Sequence, residues 1–323
     1  MSLETLTDLC TPWCVHVAVT LRVAEHIDAG AGRVEDLATV ARCDVHALRA
    51  LMGQLVSKGV FEEPRPGCYA LNQASRELMT PGARLGLDLE GVGGRMAHAW
   101  ATMLTFVRTG RTAYRDVFGG DFWDDLEANP ALGRGFDELM GMVGHGAPDP
   151  RIELSGGWDS VRTVVDVGGG NGLMLAALLQ ARPELQGILV DLPRTAGRAA
   201  ETFREYGVSD RARAIGQSFF DPLPPGFDLY LLKKVLSNWP DAEAGMVLRR
   251  CAEAARPHGR VVVIGGVGPD GAPVRMAIDI LLTGGRERSI AEFRELADRA
   301  GLEVIAVGRQ AAGRYVVECR PAL

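Results

Sequence analysis

The sequence has no run of about 18 apolar residues, the length a membrane-spanning helix needs, so no membrane span is expected. It also lacks the basic opening of a secretory signal. Its first ten residues, MSLETLTDLC, carry acids instead, which predicts a cytoplasmic protein. Cysteine is sparse. Cys10, Cys14, Cys43, Cys68, Cys251 and Cys319 are scattered over 323 residues, too thinly for a disulfide framework. Cys10 and Cys14 lie one helical turn apart, but no further Cys or His pair completes a site, so no metal is expected. An excess of basic residues is missing too. The net charge of −6 argues against a nucleic-acid partner, which would require a basic surface. What remains is 47% hydrophobic and 24% charged, an ordinary globular balance in a chain long enough for two domains.

The two halves differ in texture. Residues 1 to about 150 read as helices, and LCTPWCVHVAVTLRVAEHI repeats apolar residues at helical spacing. VEDLATVARCDVHALRALMGQLVSKGVFEEPRPGCYAL then reads helix, turn, helix and a short hairpin ending at Tyr69, a winged-helix pattern. Its candidate recognition helix offers only Arg49 and Lys58 as charged groups. The remainder, with Leu48, Leu51, Met52, Leu55 and Val56, suits packing against protein better than docking on phosphates. The stretch GHGAPDPRIELSGGWDS, rich in Gly and Pro, reads as a linker. From residue 161 apolar strands alternate with helices, which predicts a mostly parallel sheet covered on both faces. Ser289 and Glu292 form a capping box at the start of the last helix.

The strongest local signal is VVDVGGGNG, residues 164–172. Its glycines follow a strand and open a helix, where the backbone must turn tightly and approach a ligand closely. Glycine loops also serve dinucleotides. Asp166, just before the first glycine, would repel a pyrophosphate and suits a cationic amine better. The next strand ends in Asp191, placed to accept hydrogen bonds from ribose hydroxyls. Acids on both sides of the loop fit S-adenosylmethionine, which carries an ammonium, a sulfonium and a ribose.

The motifs DVGGGNG, DLP, SFFDPLP, LKKVLSNW and GGRERSIAEF come in the order and spacing of the small-molecule O-methyltransferases. The chain resembles that family, which includes plant caffeic-acid-type and bacterial antibiotic-tailoring enzymes, over nearly its whole length. The resemblance implies an α/β protein with a C-terminal Rossmann-like class I methyltransferase domain and an N-terminal helical, winged-helix dimerisation domain. The implied boundaries are residues 1–90 for dimerisation, 91–155 for a helical connecting segment lining the substrate pocket, and 156–323 for the catalytic domain. It implies a homodimer that takes S-adenosyl-L-methionine, releases S-adenosyl-L-homocysteine and methylates a small aromatic substrate. On the cofactor side, besides Asp166, the family pattern maps to Gly168, Gly170, Asp191, Ser218, Phe219 and Lys233. On the substrate side it maps to Trp100, Phe136, Met140, Asn238, Met276, Asp279 and Ile280.

One departure matters for chemistry. The family commonly has its catalytic histidine where this chain has Ser237, and orients it with two acids. One acid falls on Gly265 or Gly266 here; the other matches Glu287, which is retained. Serine does not titrate near pH 7 and cannot serve alone as a general base. Asn238 and Glu287 remain at the catalytic segment, and His145 and His98 are candidate replacement bases. The resemblance therefore implies methylation of a phenolic hydroxyl, of polyketide or antibiotic-tailoring type, carried mainly by proximity. The alternative is a family member that binds the cofactor but hydroxylates or rearranges its substrate.

Overall fold

The computed structural model describes residues 2–144, 148–273, 275–311 and 313–322. By contacts the chain forms two units. One takes residues 1–101 and 131–144, the other 102–130 and 145–323. The segment 91–155 is thus shared between them.

The first unit is helical. Helices Cys10–Thr20, Val23–Asp28, Val34–Ala41 and Val45–Ser57 lead into a hairpin of β1 (Glu62–Arg65) and β2 (Cys68–Ala70). Asp44 caps the helix Val45–Ser57 by accepting from the Ala47 amide. Leu48, Met52 and Leu55, spaced on one face of that helix, are buried with Val34, Leu37, Phe61 and Tyr69. The winged-helix pattern is present, and its recognition-like helix spends its apolar face on the core. Arg49 pairs with Glu35 at 3.2 Å.

The second unit is built on a seven-stranded sheet. Its strands are β3 (Thr163–Val167), β4 (Gln186–Asp191), β5 (Ala212–Gly216), β6 (Leu229–Lys233), β7 (Arg260–Ile264), β10 (Leu302–Arg309) and β11 (Tyr315–Pro321). The short β8 (Val267–Gly268) and β9 (Arg288–Ser289) pair separately in parallel. The order is β10-β11-β7-β6-β3-β4-β5, with β3 to β7 parallel and β11 antiparallel to both neighbours. Successive side chains alternate between two cores. Val165, Val167, Tyr230, Leu232 and Val263 meet helices Asp241–Ala255 and Ile290–Arg299 on one face. Val164, Leu229, Leu231 and Val262 meet helices Leu173–Ala181 and Ala199–Glu205 on the other. The capping box of Ser289 and Glu292 is formed.

The Gly/Pro-rich segment after residue 148 is held more firmly than a linker. Ile152 and Leu154 are buried in the sheet unit, and the Arg182 guanidinium lies 3.9 Å over the Trp158 ring. Glu318, on β11, accepts from the Ser155 amide at 2.7 Å and pairs with Arg260 at 3.0 Å. Two apolar anchors and a buried ion pair override the local turn chemistry.

Candidate active site

The parallel strands of the second unit end together, and Asp166, the glycine loop, Asp191 and Lys233 lie at those ends. β3 runs directly into the glycine loop. Gly168, Gly170 and Gly172 all have positive φ, at 69°, 63° and 84°. A Cβ on Gly168 would lie 2.8 Å from Val235 and 3.4 Å from Phe219, so the loop sits against both. A Cβ on Gly169 would lie 2.5 Å from an Asp166 carboxylate oxygen. The loop therefore covers Asp166 as closely as a backbone can.

Asp166 is 0% exposed, and neither of its oxygens has a hydrogen-bond partner. Burial pushes its pKa up to about 7 and the Asp191 charge adds to this, while the Lys233 ammonium and, more weakly, the Leu175 backbone amide pull it back. A carboxylate buried in this way is stabilised by a cation brought to it. Asp191 ends β4. Its Oδ2 accepts from the Gly170 amide and its Oδ1 from the Leu192 amide, each at 2.8 Å. Lys233 ends β6, half-buried. Burial lowers its pKa, Arg314 lowers it further, and Asp166 opposes both.

Beside the loop stands an aromatic group. Phe219 packs edge-on against Trp239 at 5.9 Å, and Phe220 does so at 4.9 Å. Trp123 stacks on Trp239 at 6.2 Å. The Ser218 hydroxyl accepts from the Phe220 amide at 3.2 Å, which turns Phe219 toward Gly168. A buried acid under the loop, a carboxylate at the end of the next strand and an aromatic wall match the ammonium, ribose and base of an adenosyl amino acid.

After Lys233 the chain turns sharply. Lys234 adopts φ 60°, a left-handed conformation costing a non-glycine residue roughly 1–2 kcal/mol. A 3-10 turn, Leu236–Asn238, follows and places Ser237 against Gly266. A Cβ on Gly266 would lie 2.9 Å from the Ser237 Cβ and 3.2 Å from its hydroxyl. Gly265 and Gly266 have φ of 72° and 74°. The residue facing Ser237 is therefore glycine in a conformation that disfavours any side chain. The Asn238 side-chain Nδ2 donates to the Lys234 carbonyl at 3.3 Å.

The other expected positions divide. Glu287 is exposed. Met276 is exposed; Asp279 is exposed in the first turn of helix Ile278–Thr283, where an acid favours the helix dipole; Ile280 is half-buried. Trp100, Phe136 and Met140 belong to the first unit, where Trp100 is exposed and the other two are half-buried. His98, also there, packs on Trp13 with ring centroids 5.3 Å apart. His145 lies outside the described residues. Sequence reasoning passed over Arg288, which is buried and bonded to the turn around Ser237. The charged tract GGRERS was the available signal.

Two family profiles match. An O-methyltransferase dimerisation domain covers residues 3–81, and an O-methyltransferase domain covers residues 100–303. This chain belongs to the O-methyltransferase family. It is 40% identical over 313 residues to the 2,7-dihydroxy-5-methyl-1-naphthoate 7-O-methyltransferase of Streptomyces carzinostaticus, covering 94% of this chain and 93% of that one. It is 37% identical to aclacinomycin 10-hydroxylase RdmB of Streptomyces purpurascens, covering 93% and 83%. The crystal structure of the O-methyltransferase NcsB1 from neocarzinostatin biosynthesis, in complex with S-adenosyl-L-homocysteine and 1,4-dihydroxy-2-naphthoic acid, superposes with a TM-score of 0.88. The identity is 38%, and the match covers 100% of this chain and 99% of that one. The winged-helix-like start of this O-methyltransferase thus falls in a dimerisation domain, and its sheet unit carries the methyltransferase fold. Among the described residues no helix is long and apolar enough to cross a membrane.

Proposed function

We propose that this O-methyltransferase carries a methyl group from S-adenosyl-L-methionine to an aromatic hydroxyl of a secondary metabolite, in antibiotic tailoring. In this reading it works in the cytoplasm as a homodimer, consistent with its dimerisation domain. The observation that carries the proposal is the buried, unpartnered Asp166 beneath a glycine loop anchored by Asp191. The bound cofactor supplies a methyl group on an electron-poor sulfonium. Asp166 balances the ammonium charge, Asp191 accepts from the ribose, and Ser218, Phe219 and Lys233 border the adenine. Gly168 and Gly170 leave room for the methionine moiety. Asn238, Met276, Asp279 and Ile280 form part of the acceptor side.

With Ser237 facing Gly266, that corner supplies no titrating base. A phenol with a pKa near 10 is about one part in a thousand ionised at pH 7, a cost of about 4 kcal/mol. Alignment of the reacting atoms is worth up to roughly 7–11 kcal/mol, so positioning covers that cost. The acceptor that suits this corner best is a hydroxyl acidified by a neighbouring carbonyl or carboxyl. Its O–H proton leaves to solvent as the O–CH3 bond forms. The test is incubation with methyl-labelled cofactor and a panel of hydroxynaphthoates and simple phenols. Label is expected in the acidic hydroxyarenes, with one S-adenosyl-L-homocysteine per product. A second reading is favoured by the 37% identity to a hydroxylase together with Ser237. It predicts turnover without S-adenosyl-L-homocysteine, which mass spectrometry of the products distinguishes.

A further inference from the structure

Arg288 is 2% exposed, yet its guanidinium is placed at the turn that carries Ser237 and Asn238. It donates to the Leu236 carbonyl at 2.9 Å and to the Trp239 carbonyl at 2.8 Å, bracketing the two residues between them. A third bond reaches Asp241 at 2.9 Å, and a fourth, longer one reaches the Arg286 carbonyl at 3.3 Å. The Arg288 backbone amide donates to the Gly266 carbonyl at 3.0 Å, behind Ser237. One residue thus ties together the turn after β6, the glycine pair after β7 and the start of helix Asp241–Ala255. The tie is itself held. Arg286 pairs with Asp241 at 2.9 Å and with Glu292 at 2.7 Å, and Glu292 caps the helix behind it. Gly285 lies against the Ser237 carbonyl and the Asn238 backbone, where any Cβ would collide.

We propose that Arg288 is a positioning residue for methyl transfer. It fixes where the Ser237–Asn238 turn presents the acceptor hydroxyl, and it does so from outside the cofactor site. The proposal rests on the methyltransferase reading above. Where an acid–base pair carries part of the barrier, some slack in this turn is tolerable. Here Ser237 and Gly266 supply no such pair, so a turn displaced by about 1 Å costs on the order of a hundredfold in rate. Lysine cannot replace the guanidinium. A single ammonium does not span two carbonyls and a carboxylate in one plane.

The test uses the full-length protein with Arg288→Lys, Arg288→Met and Asp241→Asn. Arg288→Met is expected to lower kcat about a hundredfold while S-adenosyl-L-methionine affinity stays within about twofold. Arg288→Lys falls in between, and Asp241→Asn shows a smaller loss of the same pattern. A readout independent of turnover is hydrogen exchange at the Asn238 and Trp239 amides, expected to speed up at least about tenfold while residues 164–175 stay protected. If exchange rises uniformly and cofactor affinity falls in step, Arg288 is a core stabiliser and the proposal is overturned. An unchanged kcat in folded Arg288→Lys and Arg288→Met overturns it as well. Should Arg288→Met fail to fold, Arg288→Lys and Asp241→Asn decide by the same two readouts. Selective exchange in a protein whose wild type makes no methylated product would uphold the clamp and sink the methyltransferase reading.

Discussion

Replacing Asp166 by asparagine perturbs one charge at nearly constant volume, and the expected effect can be worked out in advance. In the unfolded chain a carboxyl releases its proton near 3.8, whereas in the folded protein without cofactor Asp166 holds it up to about 7. Between those values the folded state binds the extra proton, so stability falls as pH rises. At 1.36 kcal/mol per pH unit the full cost is about 4 kcal/mol, reached above pH 7. Between pH 5 and pH 8 the part that develops is about 2–3 kcal/mol. Asp166→Asn removes that term, and the variant's stability relative to wild type should climb by this amount across the window. An unpartnered buried amide costs about 1–3 kcal/mol, which shifts the difference but not its slope. Urea unfolding of cofactor-free protein at half-unit pH steps measures it. Cofactor affinity should fall in the same variant, because its ammonium loses its counter-charge. Wild-type binding at pH 6 should release close to one proton, read from calorimetry in two buffers. Parallel stability curves for the two proteins from pH 5 to pH 8 would refute the reasoning, since no titration of Asp166 would then be coupled to folding.

Three further outcomes follow from the same geometry. Ser237→Ala should lower kcat less than about tenfold in steady-state methylation, because a general base is worth about 10²–10⁴ and serine is not one. Ser237→His alone should not raise kcat above wild type at pH 7. Gly265 and Gly266 both have positive φ, and Gly266 touches Ser237, so only Glu287 of the two orienting acids would remain for the new imidazole. A pH–rate profile that acquires a new inflection near 6.5 with faster turnover would contradict this. Arg260→Met should cost about 3–5 kcal/mol in denaturant unfolding, because it strands Glu318 as an unpaired buried charge.

Much of the architecture was legible because its signals are local. Val164, Val165 and Val167, or Leu229 to Leu232, read as buried parallel strands since both faces of the sheet are covered. Asp166 stood out because a charge in such a run is unexpected, and it proves to be fully buried. The Gly/Pro-rich stretch after residue 148 misled because composition reports turns and not burial. Ile152 and Leu154 are held by helices and strands distant in sequence. Arg288 was missed for the same reason. Its partners, Leu236, Trp239 and Asp241, are some fifty positions upstream, and two of the bonds go to carbonyls, which carry no residue identity. The contact between Ser237 and Gly266 was foreshadowed by family analogy, but the left-handed backbone that makes it exclusive appears only in three dimensions.

The sheet order also governs how the molecule comes to be folded. β11 follows every other strand in the chain, yet it lies inside the sheet, between β10 and β7. During synthesis β7 therefore waits with one open edge until residues 315–321 have been made, and an open apolar edge invites pairing with another chain. Glu318 travels on that late strand, so Arg260 waits as well. The unfinished catalytic unit is most prone to aggregation just before β11 enters.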